Sequence, residues 1–436
     1  MTRPEVPLMG ADSRVDVVAS GYPQGGSPDT VMATRALGKR VREETQEDTL
    51  EGILRDVRRK CGKHPQGHIE TTPVGVRVID DMLRIFHRPP HPRPGVPDRH
   101  KVLEIVGPRR SLGRNSGKSS LLYYIAAVGV LPAFFKGVRI GGQNGAVVFL
   151  DSQNHFNAAR LRDVALHYAC EKMHGQKQTP RGAGPPPRKR LREDEAELRK
   201  MVTDCLQHVH VFKPSSSESV VATLRSLEQY LLDVTRHRSA PRKLHSIMLD
   251  STSSFYFKDK RQALVDSLPT ELPKFPWIEP PPLYQIVHSA KHIVWCLRQL
   301  QDRFACTVIY TVTGRRRADL HVAKPSGFGC PVELLYPRPK VMSFMPHLPH
   351  AWRSYSTMRL VVRRDAVRKF SSRSIKDALH LGRQRRLVVA QGKFSAWIDP
   401  YGKEDWPSWI GPSIQKLKCK GRFNYFVHKR GISLVE

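Results

Sequence analysis

A loop that carries glycines, between an apolar strand and an apolar helix, most constrains what this chain can fold into. A short apolar run predicts the strand at Val102–Val106, and a helix with apolar residues on nearly all sides is predicted from Ser119. The loop between them ends in Ser116-Gly117-Lys118-Ser119. A strand, a loop ending in Gly-Lys-Ser and a helix, in that order, are the layout of a P-loop.

The residue types of this loop suit phosphate chemistry. Backbone N–H groups of such a loop and of the helix start converge on phosphate oxygens, and glycine lets the backbone approach closely. We expect Lys118, as an exposed loop lysine, to reach the β- and γ-phosphates, and the Ser119 hydroxyl to ligate Mg²⁺. The sequence thus predicts ATP and Mg²⁺ as cofactors. The predicted cofactor-binding residues are Gly107, Gly113, Ser116, Gly117, Lys118, Ser119, Ser120 and Asp250.

The spacing of this loop departs from the usual motif. The position five residues before Gly117, where the motif has a glycine, is Leu112, whereas Gly107 lies ten residues before and Gly113 four. The loop is therefore stretched by about five residues. Two explanations stay open, an insertion in the loop and a mis-spliced segment in the gene model. A chance Gly-Lys-Ser in a basic chain is the less favoured alternative to a nucleotide site.

Two further apolar runs each end in an aspartate. Ala146–Leu150 leads into Asp151, and Ile247–Leu249 leads into Asp250. An acid at the carboxyl end of a buried run is typical of a central parallel strand. Beside a P-loop, Asp250 is expected in the Mg²⁺ shell as a Walker B residue; the alternative is a cap of the strand end. Strands that alternate with helices predict an α/β fold, with a mostly parallel sheet covered by helices.

Charge and cysteine usage narrow the class of protein. The 436 residues carry 72 Lys and Arg against 40 Asp and Glu, a net charge of +32 that favours a polyanionic partner such as nucleic acid. The alternative is that solvated basic tails supply part of the excess. Seven scattered cysteines fit a reducing compartment. Because no secretory or membrane-spanning apolar run is found, we expect a soluble intracellular protein.

The domain boundaries follow shifts in composition. We predict a disordered tail at 1–30, a helical segment with a linker at 31–95, and an ATPase core at 96–436. Its predicted disordered insertions are 174–200, 258–283 and 314–350. The cluster Arg188-Lys189-Arg190 reads equally well as a nuclear localisation signal or a solvated linker. Strand-like runs close the chain at 358–363, 386–389 and 423–428.

The order of these motifs resembles the RecA-like recombinase family, and more narrowly the eukaryotic recombinase paralogues of homologous recombination. The residues that carry the resemblance are Thr-Thr-Pro-Val-Gly-Val at 71–76, Gly-Lys-Ser at 117–119, Asp-Ser-Gln at 151–153, Leu-Asp-Ser at 249–251 and the ending from Phe423 to Val435. The resemblance spans roughly 70–435 and rests on motif order. It implies a RecA-like P-loop core with a C-terminal β-hairpin. It also implies a nuclear role in double-strand break repair, with DNA, other paralogues and the recombinase as partners.

Two positions depart from the family pattern. The catalytic glutamate of the family falls on Gln153, whose amide cannot take a proton, and the γ-phosphate-sensing glutamine falls on Gly314. The resemblance therefore implies an ATP-binding adaptor with weak or absent hydrolysis. An active DNA-stimulated ATPase or helicase-type motor remains the alternative. A degenerate P-loop protein that binds no nucleotide is a third possibility.

Two loops are expected to face DNA, because the corresponding loops do so in RecA-like proteins. They are 258–282 and 314–351. Cations neutralise phosphates and aromatic rings stack on unpaired bases, which suits single-stranded or junction DNA. The alternative is a solvated loop. In the second loop the predicted DNA-binding residues are Arg315, Arg316, Arg317, Lys324, Arg338 and Lys340, interleaved with Phe328, Tyr336 and Phe344.

Overall fold

The fold of this protein is described from a computed structural model. The model describes residues 72–87, 100–108, 116–176, 188–266, 283–316, 343–365, 374–376, 392–401 and 406–435, together with positions 379, 382, 386 and 389. These residues all belong to one of two compact units of the chain, Arg58–Glu436. The predicted tail 1–30 and most of the segment 31–95 lie outside them, so these boundaries stay predictions.

Within the described residues, ten strands form one mixed sheet and two form a separate small hairpin. In chain order, the twelve strands are β1 (Val102–Pro108), β2 (Phe134–Phe135), β3 (Val138–Arg139), β4 (Ala146–Asp151), β5 (Val209–Phe212), β6 (Leu244–Asp250), β7 (Thr307–Arg316), β8 (Phe344–Pro346), β9 (Met358–Arg364), β10 (Lys393–Ile398), β11 (Arg422–Val427) and β12 (Ile432–Val435).

The order of the sheet is β12-β11-β10-β9-β1-β7-β6-β4-β5, with β8 paired to β7. The run from β9 to β5 is parallel. The strands β10, β11 and β12 continue the sheet antiparallel, and β11 with β12 forms the expected C-terminal hairpin. The predicted α/β class with a mostly parallel sheet is confirmed.

Nine helices with defined bounds lie in the described part of the chain. They are α1 (Arg77–His87), α2 (Lys118–Val130), α3 (Ala158–Gln176), α4 (Arg188–Leu206), α5 (Ser217–Leu232), α6 (Tyr256–Asp266), α7 (Leu283–Phe304), α8 (His350–Tyr355) and α9 (Ile410–Lys416). None of these helices is long and apolar enough to cross a membrane.

The apolar runs are continuous because helices cover both faces of the sheet. Along β1, Leu103 and Ile105 join one buried cluster with α2 and α3, whereas Val102 and Val106 join a second cluster with α5 and α7. This alternation is the two-residue period of a strand. Helix α2 is buried nearly all round, as the sequence predicts.

Several element predictions were wrong. Positions 386 and 389, predicted as strand, are helical, and the strand that follows, β10, was not predicted. The spacing of Val234 after Leu224, Leu227 and Leu231 predicts that it faces inward on the same helix, which is wrong, because Val234 lies past the helix end and is 70% exposed. The short apolar run at 386–389 alone does not separate helix from strand.

The predicted insertions overlap regular elements. Helix α4 covers the end of 174–200 and buries Leu198 and Val202. Helix α6 occupies the start of 258–283. Residues 314–316, predicted as loop, continue β7, because they pair with β8.

Candidate functional site

The candidate site lies at the carboxyl edge of the parallel strands. The register pairs Gly107 of β1 with Thr313 of β7, and Asp151 of β4 with Asp250 of β6. Because β7 separates β1 from β6, the ends of these two strands are about 10 Å apart at ordinary strand spacing. The topology thus brings Gly107, near the end of β1, and the two strand-end aspartates to one edge of the sheet.

Gly117 and Lys118 form the start of α2. Gly117 is the N-cap and has a left-handed backbone, with φ 86° and ψ −7°. A left-handed residue before a helix turns successive N–H groups toward one point, which is the geometry of an anion-binding nest. Lys118 is the first residue of the helix, and its Nζ donates a hydrogen bond to Ser116 Oγ at 2.8 Å.

Lys118 is buried rather than exposed, so the expectation of an exposed loop lysine was wrong. Its exposed fraction is 9%. A Cβ placed on Gly107 would lie 3.3 Å from Lys118 Cδ and 3.2 Å from Ser116 Cβ. The side chain of Lys118 therefore lies along the end of β1, where a residue larger than glycine would crowd it.

Two aromatic side chains of the C-terminal strands close over Gly117. The Tyr425 hydroxyl donates to Gly117 O at 3.1 Å, and the rings of Tyr425 and Phe394 stack with centroids 5.2 Å apart. A Cβ on Gly117 would lie 2.5 Å from both Tyr425 Oη and Phe394 Cδ1. Both the positive φ and the close packing require glycine here.

Asp250 is held by the neighbouring strand. Thr311 of β7 donates its hydroxyl to Asp250 Oδ1 at 2.6 Å. The backbone after Asp250 is tied to β4 and β7, since Ser152 N donates to Asp250 O at 2.8 Å and Thr252 N to Thr311 O at 2.9 Å. The carboxylate is only partly buried and is oriented by Thr311. This arrangement leaves oxygen ligands of the kind that Mg²⁺ prefers.

Asp151 serves a different purpose. It is 2% exposed, and its two oxygens accept N–H bonds from Gln153 at 3.2 Å and Phe156 at 2.7 Å. The carboxylate thus caps the turn after β4, which was the alternative reading of these aspartates. The same turn leaves the Gln153 side chain exposed at the edge of the site.

Tyr123 links α2 to both aspartates. Its hydroxyl accepts a hydrogen bond from Asn157 N at 2.8 Å. Burial raises the pKa of Tyr123, and the charges of Asp250 and Asp151 add to the rise. The Tyr123 ring also packs against Phe149 of β4, with centroids 6.0 Å apart, so the helix that begins at Lys118 lies beside the strand that ends in Asp151.

Gly314 leaves no room for a longer side chain. It is buried between β1 and β8, and a Cβ there would lie 2.9 Å from Phe344 Cβ and 3.0 Å from Val106 Cγ2. Phe344, expected among the base-stacking aromatics, is 3% exposed and packs in the core, so that expectation was wrong.

The remaining predicted residues are placed as follows. Ser119 is exposed and Ser120 half-buried in the first turn of α2. Arg315 is exposed on β7, where it pairs with Met345 of β8, and Arg316 continues the strand. Gly113, Arg317, Lys324, Arg338 and Lys340 lie outside the described residues, as do Phe328 and Tyr336.

Sequence reasoning missed Thr311, Tyr123, Phe394 and Tyr425. Thr311 carries a weak signal, because it sits near the end of the strand beside the Walker B-like strand. Tyr425 and Phe394 carry none, since Tyr425 is 308 positions from the glycine that it contacts.

No protein-family model matches this sequence, and no curated protein matches it either. Among the described residues, no group of three or more His, Cys, Asp or Glu side chains could hold a metal ion.

Proposed function

We propose that the chain binds ATP with Mg²⁺ at the carboxyl edge of its sheet. The observation that carries this proposal is the left-handed Gly117 directly before α2, with Lys118 lying along the end of β1. Backbone N–H groups at a helix start and a lysine beside them provide the donors that phosphate oxygens need. The strand order supports the proposal, because it places Asp250 on β6, with only β7 between that strand and β1.

Different residues of the site would bind the phosphates and the metal ion. Lys118 would exchange its bond with Ser116 for the β- and γ-phosphates. The oxygens of Ser119 and Asp250 would hold Mg²⁺, which neutralises phosphate charge when bound. Thr311 orients Asp250, since its hydroxyl donates to one carboxylate oxygen and leaves the other for the metal shell.

We propose that hydrolysis is weak and that the protein acts mainly as an adaptor. Gln153 presents an amide where a general base would be needed, and a positioned base is worth about 10²–10⁴-fold in rate. Gly314 offers no side chain to a γ-phosphate, and Phe344 and Val106 fill the space beside it. Both features favour an adaptor over an active motor.

We further propose that this adaptor is a RecA-like recombinase paralogue acting in homologous-recombination repair in the nucleus. The support is the motif order together with the α/β sheet on which the motifs lie. Single-stranded or junction DNA, other paralogues and the recombinase would be its partners. Arg315 and Arg316 on the β7–β8 stem, with Arg317 after them, would begin the DNA contact.

Nucleotide binding can be tested with a fluorescent ATP analogue. Lys118→Ala and Lys118→Met should weaken binding by about 10–100-fold, because a hydrogen bond to a charged group contributes about 1.5–3 kcal/mol. Lys118→Met keeps most of the buried aliphatic stem. Lys291→Ala, at an exposed position of α7, is the matched control and should bind as wild type does. Unchanged affinity in both Lys118 variants, with cooperative unfolding retained, would overturn the proposal.

Hydrolysis can be tested separately from binding. Wild-type turnover should stay well below ~1 s⁻¹, the low end for phosphoryl-transfer enzymes. Gln153→Glu should raise the rate, because a carboxylate at this exposed position can take a proton. A wild-type rate at or above that value would favour the motor instead.

The DNA contact predicts a steep dependence of affinity on salt. Replacing Arg315, Arg316 and Arg317 with Ala should reduce the slope of log K against log salt by up to ~2–3 units, at about 0.7 for each lost single-strand phosphate contact. Replacing three exposed cations elsewhere, Lys213, Lys291 and Lys418, is the matched control. An equal slope in the two triple variants would move the DNA contact away from β7.

The partners can be identified by purification from nuclei. The proposal expects recombinase paralogues to co-purify with the chain. If no recombinase paralogue co-purifies while nucleotide binding is intact, the chain is an ATP-binding protein that belongs to a different assembly.

A further inference from the structure

A second pocket lies at the amino edge of the same strands, opposite the candidate nucleotide site. It encloses about 60 Å³ of space open to water-sized groups. Its lining comes from the residues at or just before the starts of β1, β4, β6 and β7, and from the segment before α1. The lining residues used below are Lys101, Gln143, Lys243, His245 and Thr307.

Two lysines of this pocket lack a counter-charge. Lys101 precedes β1 and Lys243 precedes β6, and neither forms an ion pair with any described residue. No carboxylate is among the residues that line the pocket. Desolvation lowers the pKa of Lys243, and repulsion by Lys101 lowers it further, although Lys243 keeps an exposed surface. Both lysines line the same pocket, so an anion held there can meet both ammonium groups.

The backbone fixes where these lysines start. Val308 N donates to Lys101 O at 3.0 Å, and Ala146 N donates to Lys243 O at 2.9 Å. Both carbonyls are part of the sheet network, so only the side chains can adjust. Sheet pairing holds the two Cα atoms at the pocket, and the flexible side chains can bring both ammonium groups to an anion between them.

The rest of the lining is polar and offers no negative charge. His245 is 8% exposed, its Nδ1 lies 3.1 Å from Ser246 Oγ, and its Nε2 has no hydrogen-bond partner within the described residues. The Thr307 hydroxyl donates to Pro73 O at 2.8 Å. The side-chain donors left for an incoming anion are the two ammonium groups and the Gln143 amide.

We propose that this pocket, which we call the basic pocket, binds a phosphate group. Lysine is an effective point-charge partner for phosphate, and two of them supply six N–H donors. A single water needs about 10–15 Å³ of such space, so the pocket has room for a four-oxygen anion. The phosphate comes either from a small phosphate compound or from a nucleic acid strand.

The basic pocket is independent of the candidate nucleotide site. The strand β6 has seven residues, and a strand of that length separates its two ends by about 20 Å. A phosphate seated beside Lys243 cannot also contact Lys118. Failure of one site therefore does not imply failure of the other.

The test uses the full chain with Lys118→Ala, so that the first site does not contribute. Inorganic phosphate is titrated calorimetrically at constant ionic strength, with chloride as the balancing anion. Adding Lys101→Gln and Lys243→Gln should raise the Kd for phosphate at least tenfold. The matched control adds Lys291→Gln and Lys418→Gln, which remove the same charge from exposed positions.

The outcomes separate cleanly. Equal Kd values in the two charge-matched proteins, or no phosphate binding with Lys118→Ala alone, would overturn the proposal. Removing one or both of the two lysines should leave the thermal unfolding temperature unchanged or slightly raised, so a loss of binding is not a loss of fold.

Competition by a short single-stranded oligonucleotide then assigns the source of the phosphate. Displacement of phosphate points to nucleic acid, and its absence points to a small phosphate compound.

Discussion

The two edges of the parallel sheet differ in how their charges are satisfied. At the carboxyl edge, Asp151 accepts two backbone N–H bonds and Asp250 accepts the Thr311 hydroxyl. At the amino edge, Lys101 and Lys243 line one pocket that has no carboxylate among its lining residues. The acids meet donors at one edge, whereas Lys101 and Lys243 line a pocket of neutral residues at the other.

The histidines of the amino edge extend this difference. His208 and His210 are buried around Ser239, whose hydroxyl lies 2.9 Å from a ring nitrogen of each. One hydroxyl has a single proton, so it donates to a ring nitrogen of one histidine, which must be unprotonated there, and accepts an N–H from the other. Burial lowers the pKa of His208, His210 and His245 to about 4 in each case. Burial therefore favours the neutral form of these three histidines in the folded protein.

The largest expected effect is a loss of stability in mild acid. The three histidines have folded pKa values of about 4, below the ordinary value of 6.5, so unfolding takes up protons between these limits. Stability is full above pH 6.5 and falls as the pH drops toward 4. At pH 5.5 each histidine accounts for a loss of about 1 kcal/mol, or about 3–4 kcal/mol together. Urea unfolding at pH 7.5 and 5.5 measures this difference.

A single replacement at the amino edge sharpens that measurement. His245→Gln should remove about a third of the loss between the two pH values. His155→Gln, at an exposed position of the turn after β4, is the matched control and should keep the full loss. A pH dependence that is unaltered by His245→Gln would contradict the assignment.

The next effect concerns glycine at the carboxyl edge. Gly117→Ala should destabilise the fold by about 2–4 kcal/mol, because it combines a positive φ with overpacking against Phe394 and Tyr425. Gly137→Ala is the matched control, since its φ is 78° and no atom lies within 4 Å of a Cβ placed there. That variant should lose only about 1 kcal/mol. An equal loss of stability of the two variants in thermal unfolding would mean that Phe394 and Tyr425 do not pack closely on Gly117.

The smallest effect is that of one hydroxyl. Tyr425→Phe keeps the stacked ring and removes the donor to Gly117 O. We expect a loss of about 0.5–1.5 kcal/mol, the usual net contribution of one hydrogen bond. Leu121 N still donates to the same carbonyl at 3.0 Å, so that acceptor is not left unpaired. A loss above ~3 kcal/mol in urea unfolding would show that the hydroxyl does more than this bond.

The sequence predicted much of the fold through local patterns. The runs of β1, β4, β6 and β7 are buried on both faces, and such runs are recognisable because most of their side chains are apolar. The helices α5 and α7 are also readable from the sequence, because Leu224, Leu227 and Leu231 in the first and Ile293, Leu297 and Leu300 in the second recur at helical spacing. The joint placement of Gly117, Asp151 and Asp250 also followed from sequence, because parallel strands present their carboxyl ends at one edge.

Tertiary structure decided what each residue does there. Asp151 and Asp250 follow similar apolar runs, yet one caps a turn and the other meets Thr311. Lys118 is buried because β1 ends beside it, and Gly117 must be glycine because Tyr425 and Phe394 close over it. The basic pocket joins Lys101 and Lys243, which are 142 positions apart in sequence. A local sequence pattern indicates which face of a helix or strand is apolar. Which distant residues come into contact is decided only when the strands pair in their final order and register.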